Sequence, residues 1–111
     1  LQRYLRQGLL NRREMDKLTE LLTMWEKLAD QQQALAGMEK EREKIYREQQ
    51  QIQGNMKALG QTGKEGALRV RYVERLEETE SSLRSLQERE ARTRAEIERI
   101  KREIEKIVEQ M

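Results

Sequence analysis

From Leu76 to the C-terminus the larger side chains return at alternating intervals of three and four, through Leu76, Thr79, Leu83, Leu86, Glu90, Thr93, Ile97, Ile100, Ile104, Ile107 and Met111. A repeat averaging 3.5 residues keeps one stripe of a helix turned toward a partner, so this stretch predicts a long helix with a narrow seam. Glu90 and Thr93 weaken the stripe locally and leave its register intact.

The first half carries a matching pattern: Leu18, Leu21, Trp25, Leu28, Gln32, Leu35, Met38, Arg42, Ile45, Gln49, Ile52, Met56 and Leu59. Two successive intervals of three around Leu35 amount to a stammer. A local overwinding is expected there, beside Gly37, whose helix propensity is low.

Between the halves stand Gly60, Gly63 and Gly66, the chain's one glycine cluster. They predict a helix stop, a turn and a restart, with Gly60 as a left-handed cap and Thr62 and Glu65 at capping-box spacing. Folding back at this turn brings the stripes into register. Leu59 meets Leu68, Met56 meets Tyr72, Ile52 meets Leu76, Gln49 meets Thr79 and Ile45 meets Leu83. Farther along, Leu35 meets Thr93, Leu28 meets Ile100, Trp25 meets Ile104, Leu21 meets Ile107 and Leu18 meets Met111. Each helix covers the other's seam for about 40 residues, or about 60 Å at 1.5 Å per residue. Mixed layers at Arg42 with Leu86, Met38 with Glu90 and Gln32 with Ile97 predict a waist less firm than either end.

The fold class expected is therefore all-α: an antiparallel two-helix coiled-coil hairpin, dimerising into a helical bundle. Its parts are a lead-in at 1–11, helix one at 12–59, a turn at 60–66 and helix two at 67–111. Asn11 and Glu14 have the spacing of a capping box, which starts helix one near Arg12.

Composition narrows the function classes. Charged residues make up 40% of the chain against 35% apolar, which argues against a thick globular core. The absence of Cys and His removes the residues for structural zinc, haem, an iron–sulfur cluster or a disulfide, so no cofactor or metal is expected. No apolar run is long enough to cross a bilayer. The chain opens on Leu1 rather than Met and reads as a fragment of a larger protein.

Charge is unevenly placed. Arg3, Arg6, Arg12 and Arg13 precede the first acid, Glu14, while acids and bases intermingle in the rest, as on the solvated flanks of a coiled coil. The lead-in, with Leu1, Tyr4, Leu5, Leu9 and Leu10 among those arginines, is an apolar strip lacking a cover within the hairpin. Docking on protein is preferred over an anionic membrane, because the strip is short and contains Gly8.

The turn has a glycine-lysine sequence, Gly60 to Lys64, but not the spacing of a phosphate-binding loop, and Glu65 stands where Ser or Thr is required. Acidic groups such as Glu39, Glu41 and Glu43, or Glu77, Glu78 and Glu80, have no pocket to shift their pKa values and read as solvated faces. Lys64, Arg69 and Arg71 form a candidate basic tip that a phosphate backbone would recognise, an outline shared with the N-terminal arm of seryl-tRNA synthetase. Tyr72 is the sole aromatic residue interleaved with them, and its stripe position places it in the core.

The stretch Glu48-Gln49-Gln50-Gln51-Ile52-Gln53-Gly54-Asn55-Met56-Lys57-Ala58-Leu59-Gly60, followed after the turn by Leu68-Arg69-Val70-Arg71-Tyr72-Val73-Glu74-Arg75-Leu76-Glu77-Glu78-Thr79-Glu80, resembles the C-terminal coiled-coil region of a bacterial family of unknown function related to mucoidy inhibitor A. Where that family has Arg-Glu before the asparagine, this chain has Gln53-Gly54. The resemblance implies a bacterial, multidomain parent and carries over no catalytic residue. Function is accordingly expected to be structural: a spacer or protein–protein interaction arm, not an enzyme, self-associating or docking on other parts of its parent. The alternative is a helical arm touching nucleic acid through Lys64, Arg69 and Arg71.

Overall fold

A computed structural model describes residues 11–111, and the expected lead-in, apart from Asn11, lies outside the described residues. Two helices follow each other, α1 (Arg12–Lys57) and α2 (Gly63–Glu109), of 46 and 47 residues, with no strand among the described residues. They pack against each other as an all-α helical hairpin. Acids stand in both first turns, Glu14 and Glu65, and lysines in both last turns, Lys57 and Lys106, each opposing the helix dipole.

Asn11 sets the start of α1. Its Oδ1 accepts from the Glu14 amide at 2.8 Å and its carbonyl accepts from the Met15 amide at 3.0 Å. A side-chain cap of this kind is worth about 1 kcal/mol, because it satisfies an amide that the helix itself leaves without a partner.

The described chain divides into two compact units, one made of the residues up to Ala34 with Thr93–Met111, the other of Leu35–Arg92. In the Leu35–Arg92 unit, Ile52, Leu83 and Leu86 are buried, while Leu35, Ile45, Met56, Leu59, Tyr72 and Leu76 are half-buried. Gln49 Nε2 donates to Thr79 Oγ1 and Glu80 Oε1, each at 3.0 Å, and Thr79 Oγ1 in turn donates to the Leu76 carbonyl at 2.7 Å. The Gln49–Thr79 bond is a contact of the register expected from the paired stripes.

One of the mixed layers here is closed by an ion pair. Glu90 is buried, and Arg42 Nη1 meets its Oε2 at 2.6 Å, with Leu86 only 1% exposed. Met56, Leu59 and Tyr72, near the turn, stay half-buried. Burial continues through this polar layer because arginine supplies an aliphatic stem as well as a charge.

In the other unit Leu21, Ile97, Ile100 and Ile107 are buried and Leu18, Leu28 and Ile104 half-buried. Lys17 Nζ donates to Gln110 Oε1 at 2.6 Å, tying the start of α1 to the end of α2. The Arg99 guanidinium, donating to Glu96 at 2.6 Å, holds that carboxyl below its ordinary pKa, and Lys27 on α1 adds to the effect.

Two expected seam residues are displaced. Trp25 is 47% exposed and Met24 is half-buried in its place; likewise Gln31 is half-buried and Gln32 exposed. With those substitutions the α1 stripe runs Leu21, Met24, Leu28, Gln31, Leu35, Met38, Arg42 and on to Leu59 at unbroken intervals of three and four. No stammer occurs at Leu35. Leu68 is also exposed, and Arg69 occupies the corresponding position beside the seam.

Candidate functional site

The turn and the start of α2 hold the residues singled out for chemistry, and their geometry follows from how α1 ends. Its last amides make tightened bonds, Ala58 to the Asn55 carbonyl at 3.3 Å and Leu59 to the Met56 carbonyl at 3.1 Å. Arg69 Nη1 also donates to the Met56 carbonyl, at 2.9 Å. A guanidinium there satisfies an orphan acceptor and lies at the negative end of the α1 dipole.

The turn differs from expectation in two respects. Gly63, not Gly60, has the left-handed conformation, with φ of 66°, and α2 is helical from Gly63 rather than from Ala67. Glu65 Oε2 accepts from the Gly60 amide at 2.9 Å instead of closing a box on Thr62. Glycine provides the bend where it costs least, so the helix regains its hydrogen bonding early, with the Gly66 amide bonded to the Thr62 carbonyl at 3.1 Å.

Gly66 is held by close approach. A Cβ added there would stand 2.7 Å from the Gln61 carbonyl oxygen, whereas one added at Gly54 would meet open space. Gly66→Ala is expected to lower stability by about 1–3 kcal/mol, the usual cost of overpacking. Gly54→Ala should raise it by about 0.5–1 kcal/mol through helix propensity. Thermal melts of the two variants should therefore move in opposite directions.

The three residues of the candidate basic tip are not equivalent. Lys64 and Arg71 are exposed, but Arg69 is half-buried and engaged with α1. Nearby Arg75 bridges Glu48 at 2.6 Å and Glu78 at 2.9 Å. What remains is a mixed-charge surface, without the concentrated cationic field that a phosphate backbone requires.

A feature that charge counting misses lies beside it. Val70 and Val73 are 57% and 41% exposed, and they share a groove of about 540 Å³ with Gly66, Arg69, Glu74 and Glu77. Glu74 and Glu77 are exposed and make no ion pair among the described residues. The sequence places Val70 and Val73, with Leu10, Leu22 and Val108, beside the stripe, where a second hairpin is expected to bury them. The other exposed large apolar residues include Leu22, Trp25, Tyr46 and Val108.

Among the described residues no cluster of acids is arranged to hold a metal ion, and no helix is long and apolar enough to cross a membrane. Comparisons with protein-family models, curated proteins and solved structures find no match to the chain.

Proposed function

We propose that the chain is a structural coiled-coil spacer or protein–protein interaction arm of a larger bacterial protein, and that it self-associates. The observation carrying this reading is the set of apolar side chains outside the seam. Leu22, Val70, Val73 and Val108, with Trp25, keep between 41% and 57% of their surface exposed on a hairpin whose seam is already filled. Large apolar groups left beside a closed seam are where a further helix packs. The bacterial origin rests on the resemblance of Glu48 to Gly60 and Leu68 to Glu80 described above.

The nucleic-acid alternative is weakened, because Arg69 is half-buried and commits one of its nitrogens to the Met56 carbonyl. Exposed Lys64 and Arg71 are too few to bind phosphates firmly, since affinity grows with each phosphate neutralised.

Light scattering of the purified chain should give at least twice 13.3 kDa. A mass that stays at one chain at high concentration would overturn self-association.

A further inference from the structure

We propose that the groove formed by Val70, Val73, Glu74 and Glu77 receives the basic segment 1–10 of a second copy of this chain. The inference rests on the self-association reading and gives it an interface. The groove combines an apolar floor, Val70 and Val73, with two exposed carboxylates that no cation of the described residues pairs, while Arg69 in its lining donates to the Met56 carbonyl. Its complement is a segment that brings apolar side chains together with positive charge and no acid. Residues 1–10 have that chemistry, since Leu1, Tyr4, Leu5, Leu9 and Leu10 accompany Arg3 and Arg6.

The match is selective in both directions. An Arg guanidinium pairs with carboxylates through parallel hydrogen bonds, and the pairing is strongest where neighbouring apolar contact excludes water. Glu74 and Glu77 repel a phosphate-bearing ligand, so charge complementarity at this groove favours protein over nucleic acid. Gly66, which the Gln61 carbonyl keeps without a side chain, leaves that part of the lining uncovered. Two copies related by a twofold axis make the contact twice, each lending its segment to the other's groove.

Charge reversal tests this in the full chain by sedimentation velocity. Glu74→Lys with Glu77→Lys, and separately Arg3→Glu with Arg6→Glu, should each weaken the dimer at least tenfold. An equimolar mixture of the two proteins should restore it, because both contacts then regain opposite charges. A chain carrying all four reversals should dimerise again, which no loss of folding could produce. If the unaltered chain is dimeric and the reversals leave its mass unchanged, or the mixture fails to recover, the groove assignment falls and self-association stands. If the unaltered chain is a monomer, both fall.

Discussion

Ile100→Ala is expected to cost about 3–4 kcal/mol, the range for truncating a fully buried aliphatic side chain whose surroundings relax only partly. Ile100 is 1% exposed, and a protein of this size has only about 5–15 kcal/mol in total, so a large part of the stability is lost. Leu86→Ala, also at 1% exposure, should behave alike in the other unit. Trp25→Ala removes a larger side chain but one 47% exposed that leaves no enclosed cavity, and its cost is expected to be smaller than that of Ile100→Ala. Urea unfolding followed by circular dichroism compares the three. An equal loss at Trp25 and Ile100 would restore tryptophan to the seam and, with it, the irregular register.

Arg42→Met is expected to cost about 2–3 kcal/mol, because it removes the guanidinium that faces a buried carboxylate while leaving that carboxylate in place. The pair is asymmetric: the Glu90 side chain is 6% exposed and that of Arg42 31%. Partial exposure of the arginine is the reason to expect less than a fully buried pair would lose. Replacing both residues by leucine should recover most of the loss or exceed the original stability, since an apolar layer carries no desolvation penalty. Arg42→Leu, Glu90→Leu and the double variant carrying both, compared by denaturant titration, give the coupling directly. A neutral Arg42→Met would mean that the ion pair contributes nothing to the fold.

The α2 seam was legible because from Leu76 to Ile107 it follows one rhythm, with Ile or Leu at most positions. In α1 the same reading faltered for an identifiable reason. Between Leu28 and Leu35 stand Gln31, Gln32 and Gln33, identical residues that carry no phase information. Trp25 looks a better core residue than Met24 by size alone, and choosing it forced the expected stammer. The structure takes the slim, unbranched methionine and leaves the indole outside. Arg69 was misread for a different reason. Hydropathy favours Leu68, whereas the position beside the end of α1 needs a donor for a carbonyl, which apolar periodicity does not register. Val70 and Val73 are legible as apolar positions beside the stripe, but their grouping with Glu74 and Glu77 in one groove emerges only from the helix geometry.

The division into two units implies an order of assembly. Leu35–Arg92 is one continuous stretch of chain containing the turn, so its helices find each other by closing a short loop and extending the contact outward. The other unit draws on two stretches far apart in sequence, and Lys17 bonds to Gln110 across almost the whole chain. Formed alone, it would bear the entropy of closing everything between. With Leu35–Arg92 already folded that entropy is largely gone. Hydrogen exchange is therefore expected to be slowest at the buried amides of Leu35–Arg92 and faster towards Asn11 and Met111.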